Sequence, residues 1–302
     1  MDRSEWKAII LAGGSGTRLH PLTRSVNKHL LPVFDKPMIY YPLSTLMLGG
    51  LKDYVIISTP EALPHFQALL GDGNCWGLNI EYREQAEPRG IAECFLIAED
   101  LIEGKNTALI LGDNIFYSDE LGEKVQRGMD ANNGATIFGY EVADPTAFGV
   151  INLDVDGRPV SIDEKPKKPK SNLAVPGLYL YDKRVLEYAK SLKPSARGEM
   201  EITDINRRYL DDGELTVLRF GRGTAWLDGG THEALYAAGQ FIKVVEDRTG
   251  LKIGCPEEIA FRKGFISGDQ LAELAEQGSK SDYDSYVRVL VDRLTRAVMP
   301  KR

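Results

Sequence analysis

Residues 7–19 read KAIILAGGSGTRL, an apolar run that passes directly into a glycine-rich loop. The run from Lys7 to Leu11 indicates a buried parallel strand. Glycines let the backbone approach a phosphate closely, and their successive N–H groups can surround an anion. The loop lacks the Gly-Lys-Ser/Thr ending of a P-loop, and Leu19 stands where a dinucleotide fingerprint needs Gly or Ala. It therefore fits a polyphosphate site with Arg18 as its cation, or else a plain glycine-rich turn with a surface arginine.

Outward from this loop, strand-like and helix-like segments alternate through the first half of the chain. Strands are predicted over 7–11, 53–59, 78–83, 107–111 and 135–142, and helices over 37–48, 62–70, 91–102 and 119–132. This alternation predicts an α/β fold with a doubly wound, mixed but mainly parallel sheet of the Rossmann-like kind. Ligands bind beyond the carboxyl ends of such strands, so the loops after Leu11, Gln85 and Leu111 are expected on one rim.

The middle and the end of the chain have a different character. Segments 150–153 and 160–162, around Asp156-Gly157, predict an inserted β-hairpin, and 177–181 predicts one more strand. The last third is expected to be mostly helical, because 232–245 and 283–294 carry apolar residues along one face. We therefore predict one α/β domain followed by a small helical C-terminal part.

Composition excludes several classes of protein. The 302 residues carry a formal net charge of −7, which argues against a general nucleic-acid or anionic-membrane binder. No apolar run is long enough to span a bilayer, and the N-terminus lacks the pattern of a signal peptide. The 3 cysteines form no C-x-x-C pair, so neither a disulfide scaffold nor a zinc site is expected. We expect a soluble, cytoplasmic protein.

Two separated aspartates are candidates for metal binding. Asp113 ends an apolar strand, and Asp228 follows Trp226-Leu227 much later in the chain. If both carboxylates reached one rim, they could hold Mg²⁺ between phosphate oxygens; each alone could equally be a cap or turn residue. Lys28 could be an ordinary surface lysine.

Six short motifs carry a resemblance to a known family. They are GGSGTRL at 13–19, NKHLLP at 27–32, DKPMIYYP at 35–42, GDNIFY at 112–117, EKP at 164–166 and WLD at 226–228. In this order they make the chain resemble the sugar-nucleotide pyrophosphorylases, which are nucleotidyltransferases, over nearly its whole length. The resemblance implies a nucleotide half of about 1–135 and a sugar-binding half of about 136–230 within a domain 1–250, and a helical segment 251–302 with an interface or regulatory role.

The resemblance also implies a reaction. Its closest form transfers a thymidylyl group from dTTP to α-D-glucose 1-phosphate with Mg²⁺, giving dTDP-glucose and pyrophosphate, the first step towards dTDP-rhamnose and related sugars. UTP in place of dTTP is one alternative, and a non-catalytic, sugar-nucleotide-binding regulatory subunit is another. A glycosyltransferase would more often carry an Asp-x-Asp metal motif after a strand; residues 154–156 match that string, but Gly157 makes them a hairpin turn by spacing.

Site residues follow from the resemblance, motif by motif. Charge stabilisation would fall to Arg18 for pyrophosphate, Lys28 for the triphosphate and Lys165 for the sugar phosphate. The implied nucleotide-binding residues are Leu11, Gly13, Gly14, Gly16, Thr17, Arg18, Lys28, His29, Gln85, Gly90 and Asp113, of which Gln85 and Gly90 would read the pyrimidine. The implied sugar-binding residues are Gly149, Glu164, Lys165, Val175 and Tyr179. The implied metal ligands are Asp113 and Asp228.

A second site is implied for an end-product sugar nucleotide between the subunits of a homotetramer. Its residues would be Leu48, Tyr117, Gly221, Arg222, Gly223, Glu258, Ile259 and Arg262. From the residues alone, the alternative is a C-terminal helix packed on the core with ordinary charged faces.

Overall fold

A computed structural model describes the backbone of residues 3–298 and the side chains as far as Arg293; residues 1–2 and 299–302, the last of which belong to the predicted C-terminal segment, lie outside the described part. The strands are β1 (Trp6–Leu11), β2 (Pro32–Val33), β3 (Lys36–Pro37), β4 (Asp53–Ser58), β5 (Asn79–Glu84), β6 (Asn106–Leu111), β7 (Asn114–Tyr117), β8 (Ala135–Glu141), β9 (Gly149–Leu153), β10 (Pro159–Glu164), β11 (Leu173–Val175), β12 (Leu178–Tyr181), β13 (Leu215–Arg219) and β14 (Ala225–Asp228). The helices are α1 (Tyr40–Leu48), α2 (Leu63–Leu70), α3 (Glu93–Ile97), α4 (Glu99–Ile102), α5 (Leu121–Asp130), α6 (Val185–Ser191), α7 (Ile202–Asp211), α8 (His232–Thr249), α9 (Pro256–Arg262), α10 (Gly268–Gln277) and α11 (Asp282–Val298).

One mixed sheet organises the fold, in the order β10-β9-β11-β8-β12-β6-β1-β4-β5, with β13 beside β8. Strands β6, β1, β4 and β5 are parallel neighbours, and Leu11 lies opposite Leu111 at the carboxyl edge. The predicted α/β class with a mainly parallel sheet is therefore confirmed. Every residue of β1 is buried, as its continuous apolar run predicts.

The predicted hairpin is confirmed as β9 and β10, which pair antiparallel around Gly157. It continues the main sheet through β11. Asp154 accepts backbone hydrogen bonds within the turn, from Asp156 at 2.9 Å and Arg158 at 2.8 Å. The Asp-x-Asp string is thus an exposed turn and lines no cavity found among the described residues.

Two predicted helices are wrong in extent. The helix expected over 91–102 is interrupted at Ala98, where the acidic residues Glu99 and Asp100 begin a new N-terminus. The helix expected from Pro37 begins only at Tyr40, because Lys36 and Pro37 form β3.

A separate two-stranded ribbon was not predicted from the sequence. Strands β7 and β14 pair antiparallel, with Asp228 opposite Asn114 and Trp226 opposite Phe116. This pairing places the end of β14 next to the loop that follows β6. In the described residues, no helix is both long and apolar enough to cross a membrane.

Candidate active site

The glycine loop lines a cavity of about 230 Å³ at the carboxyl edge of the sheet. The loops after Leu11, Gln85 and Leu111 meet there, as the strand order predicts. In the described part of the chain, the backbone N–H groups of residues 13–16 donate to no protein acceptor. Of these residues, Gly13 and Gly14 line the cavity, and unpaired N–H groups beside a cavity suit an anion such as a phosphate.

Asp113 lines this cavity and lies close enough to Asp228 for their charges to interact, and the two charges are unequally compensated. Lys28 donates a hydrogen bond to Asp113. Burial alone would raise the pKa of Asp113, but the neighbouring charges, led by that of Lys28, and the hydrogen bonds from Lys28 and Asn114 together outweigh it and lower that pKa to about 2. Burial and the neighbouring Asp113 raise the pKa of Asp228. The pair therefore carries an incompletely balanced negative charge.

Asn114 holds the pieces of this site together, although the sequence analysis assigned it no role. Its amide nitrogen donates to Asp113 at 3.0 Å. Its carbonyl oxygen accepts from the indole of Trp226 at 2.7 Å and from the Gly177 N–H at 2.9 Å. Because the amide uses both ends at once, it fixes Asp113 relative to β14. Its position in the GDNIFY motif was the available signal.

A second cavity of about 270 Å³ adjoins the first through Ile91, Leu111, Asp113 and Glu199, which line both. All five predicted sugar-binding residues line it: Gly149, Glu164, Lys165, Val175 and Tyr179. Arg18 and Asp228 also line it, so both aspartates border this cavity and Asp113 borders the first as well.

Several polar residues of the second cavity were missed by the sequence analysis. They are Arg197, Glu199, Glu201 and, beneath them, Thr203. Thr203 is buried and its hydroxyl donates to Oε2 of Glu164 at 2.5 Å. Arg197 lies 3.6 Å from Oε1 of Glu164. The segment 197–201 has no glycine-loop or strand-end signature, so the pattern rules do not single it out.

At the outer end of the first cavity, Gln85 is buried against the glycine loop. Its Nε2 lies 2.9 Å from Oε2 of Glu93 and 3.4 Å from the Gly90 carbonyl. Gly90 has φ +105°, and a methyl group there would lie 2.4 Å from the Met200 carbonyl, so only glycine fits. The Gly90 N–H has no protein acceptor among the described residues.

The other predicted nucleotide residues occupy different positions. Gly16 and Thr17 line neither cavity; the Gly16 carbonyl instead accepts from the Thr23 hydroxyl at 2.7 Å. His29 lines the first cavity and is buried. Burial, and then the charge of Lys28, lower its pKa to about 3, so this imidazole is neutral at pH 7.

A third cavity, of about 270 Å³, lies between α1, β7, the end of α8 and α9. Its lining includes five residues of the predicted second site, namely Leu48, Tyr117, Glu258, Ile259 and Arg262. Gly221, Arg222 and Gly223 are exposed and do not line it. The hydroxyl of Ser44, which does line it, is buried without a hydrogen-bond partner.

Comparison with known proteins gives a family match and a set of relatives that share one name. The family model described as nucleotidyl transferase matches residues 7–244. A glucose-1-phosphate thymidylyltransferase of Mycolicibacterium smegmatis is 55% identical over 287 residues, which cover 95% of this chain and 99% of that protein. The enzyme of the same name from Neisseria meningitidis serogroup A is 52% identical and is covered completely, against 95% of this chain.

Solved structures agree with these relatives. A Bacillus anthracis protein provisionally named glucose-1-phosphate thymidylyltransferase, in complex with sucrose, aligns with a TM-score of 0.73 at 43% identity, over 78% of this chain and 94% of that chain. A UDP-glucose pyrophosphorylase in complex with UDP-glucose aligns with a TM-score of 0.69 at 25% identity, over 79% and 98%.

Proposed function

This chain belongs to the nucleotidyl transferase family and is a nucleotidyltransferase enzyme, and from that premise we propose that it transfers the thymidylyl group of dTTP to α-D-glucose 1-phosphate, giving dTDP-glucose and pyrophosphate. The observation that carries the proposal is the junction of two cavities at Asp113, with Asp228 lining the second of them. One cavity has the phosphate-type loop and the other has carboxylates and cations suited to a sugar phosphate. The product would serve the synthesis of dTDP-rhamnose and related sugars.

The reaction needs no base from the protein. A phosphate oxygen of glucose 1-phosphate is an anion at neutral pH and forms the new bond to the α-phosphorus of dTTP. The bond from that phosphorus to the bridging oxygen of the β-phosphate breaks in line, and pyrophosphate leaves with the electron pair. The protein therefore contributes mainly by positioning the reactants and stabilising their charge.

Four positively charged side chains are placed where they could stabilise the charges of the reactants. Lys28, beside Asp113 in the first cavity, would balance the triphosphate. Arg18 lines the second cavity beside Asp228 and would hold the pyrophosphate as charge accumulates on it. Lys165 and Arg197 flank Glu164 at 3.5 and 3.6 Å and would bind the sugar phosphate.

The donor set fits Mg²⁺. Among the described residues no group of three or more His, Cys, Asp or Glu side chains forms a closed metal site. Mg²⁺ typically takes one or two protein carboxylates and completes its shell with water and substrate phosphates, which is what Asp113 and Asp228 offer. When bound, the ion would neutralise charge on the phosphates and hold them in line.

The outer end of the first cavity suits a pyrimidine. Gln85 and the free N–H of Gly90 offer an acceptor and a donor, which match the N3–H and a carbonyl of thymine or uracil. The 5-methyl group of thymine needs only an apolar contact, so UTP is the closest alternative substrate.

Pyrophosphate release tests the proposal. The enzyme is supplied with Mg²⁺, glucose 1-phosphate and dTTP, UTP, CTP, ATP or GTP in turn. We expect fast release with dTTP and slower release with UTP. A different preferred base would retain the reaction class and reject the thymidylyl assignment. No release from folded protein with any triphosphate would instead favour a non-catalytic regulatory subunit.

We also propose a homotetramer with an end-product site in the third cavity. The outer face of α8 exposes Tyr236 and Val244, and Phe34 lies near this helix, against Gly239 and Lys243. The unpartnered Ser44 hydroxyl supports a polar ligand in the cavity below. The segment 251–302 would then serve assembly and regulation, because α9 lines that cavity.

A further inference from the structure

The side-chain amide of Gln85 is held in one orientation by Glu93, to which the sequence analysis gave no role. Nε2 of Gln85 lies 2.9 Å from the Glu93 carboxylate and 3.4 Å from the Gly90 carbonyl. Carboxylate and carbonyl oxygens only accept hydrogen bonds. Both neighbours therefore require the NH₂ group on their side, and the reversed amide would set its oxygen against two acceptors.

The oxygen of the amide consequently faces the glycine loop. A methyl group on Gly13 would lie 2.5 Å from Oε1 of Gln85, so this oxygen lies directly against Gly13. Gly13 and Gln85 line the same cavity. Gln85 is 5% exposed, so little water reaches Oε1. A bound base that cannot donate to Oε1 therefore leaves this oxygen without a hydrogen bond, which costs free energy of binding.

We propose that Glu93 determines base specificity by fixing the Gln85 amide with its acceptor towards the base. Thymine and uracil carry a hydrogen on N3 and can donate to this oxygen. Cytosine carries a lone pair on N3 and would face it with a second acceptor. Glu93 acts through Gln85 and is a positioning residue; the inference rests on the proposed function, in which Gln85 reads the base.

The variant Glu93→Gln tests the idea with little change of shape. A glutamine at this position can accept or donate, so it removes the stronger of the two constraints and leaves only the longer contact with the Gly90 carbonyl, at 3.4 Å, against the reversed amide. We expect kcat/KM for dCTP relative to dTTP to rise by at least about tenfold, the value of one hydrogen bond. The dTTP value itself should fall less than about threefold, because the original hydrogen bond can still form.

Glu87→Gln is the matched control. Glu87 lies on the loop between β5 and α3, six residues before Glu93, and among the described residues its carboxylate hydrogen-bonds Arg89 alone, at 2.9 and 3.1 Å. This variant should retain the wild-type ratio of dCTP to dTTP. Calorimetric titration with dTDP and dCDP gives a second measurement that needs no turnover, and the ratio of the two dissociation constants should shift in Glu93→Gln alone.

The outcomes separate this inference from the proposed function. An unchanged base ratio in active Glu93→Gln, or an equal loss with both bases, overturns the role of Glu93 and leaves the reaction intact. Wild-type enzyme that binds both diphosphates but releases no pyrophosphate contradicts the reaction, while the binding ratio still decides the role of Glu93. Failure of wild type to bind either diphosphate overturns both.

Discussion

At the scale of single residues, Asp113 and Asp228 differ in how far their negative charge is compensated. Lys28 already compensates Asp113, whereas burial and Asp113 itself raise the pKa of Asp228. A cation between them would relieve this repulsion, and Asn114 holds Asp113 ready for it. The sequence predicts both carboxylates; its GDNIFY motif draws attention to Asn114, but the partners that define the role of this residue, Trp226 and Gly177, are distant in sequence.

Replacing Asp113 or Asp228 with asparagine removes one carboxylate and retains its shape. We expect turnover to fall at least about a hundredfold, as for the loss of one strong electrostatic contact to the transition state. Pyrophosphate release at saturating substrates measures this. Asp156→Asn, in the exposed hairpin turn, is the control and should leave turnover unchanged. Near-wild-type rates in Asp113→Asn or Asp228→Asn would remove that residue from the metal site.

Thr203 is expected to act on the sugar through Glu164. Thr203→Val removes the hydroxyl that donates to Glu164 at 2.5 Å, so the carboxylate loses its fixed position. We expect KM for glucose 1-phosphate to rise about tenfold with KM for dTTP unchanged. Thr136→Val removes a buried hydroxyl that bonds Asn132, far along the chain from Glu164, and should change neither KM. Equal changes of both KM values in Thr203→Val would indicate general destabilisation.

At the scale of elements, the hairpin of β2 and β3 is anchored by buried charges. Lys36 pairs with Asp35 at 2.5 Å and with Glu246 of α8 at 3.1 Å. Lys252 closes the ring by pairing with the same two carboxylates. The hairpin is tied to the active-site segment through the His29 carbonyl, which accepts from Ile39 at 2.9 Å. The apolar pattern predicts a helix from Pro37, because nothing in that pattern indicates that Lys36 is buried and forms β3 with Pro37.

This ring of charges makes the free energy of unfolding depend on pH. Burial would raise the pKa of Asp35, but the hydrogen bonds from Lys252 and Lys36 outweigh it and lower that pKa below its usual value. The stabilisation is therefore complete above about pH 4, the ordinary value for an unfolded aspartate, and is lost as the pH falls through the native pKa.

Asp35→Asn should lower the free energy of unfolding at pH 7 by about 3 kcal/mol, because it leaves part of a buried ion-pair cluster uncompensated. The difference from wild type should shrink as the pH falls below about 4. Urea titrations across this range measure it. Asp247→Asn, in an exposed pair with Lys243, should cost less than about 0.5 kcal/mol at any pH. A deficit in Asp35→Asn that does not vary with pH would contradict the charge-based explanation.

At the scale of the whole molecule, local patterning predicts the strand–helix alternation well, because β1, β4 and β6 each contain a run of four apolar residues. It predicts nothing of the ribbon of β7 and β14, whose pairing depends on residues far apart in the chain. The same limit applies to the segment 197–201. Its position over the second cavity depends on the Met200 N–H, which donates to the Arg89 carbonyl at 2.7 Å.

Assembly is tested at this scale too. The exposed α8 face predicts an oligomer, and Val244, 61% exposed, lies on it. Val244→Glu should reduce the mass measured by light scattering from that of a tetramer, because a buried charge at an interface is costly. Val155→Glu makes the same change at the tip of the hairpin and should leave the mass unaltered. A monomeric wild type would contradict the assembly.

The pairing of β7 with β14 also bears on how much of the chain must be synthesised before the candidate site is complete. The hydrogen bond from Trp226 to Asn114 spans 112 residues of chain. A nascent polypeptide that has emerged only as far as β13 already holds the glycine loop, Lys28 and Asp113, yet it lacks the second carboxylate. If Asp228 is a metal ligand as proposed, synthesis must pass β14 before turnover can begin, and a protease cut within β14 would abolish the activity.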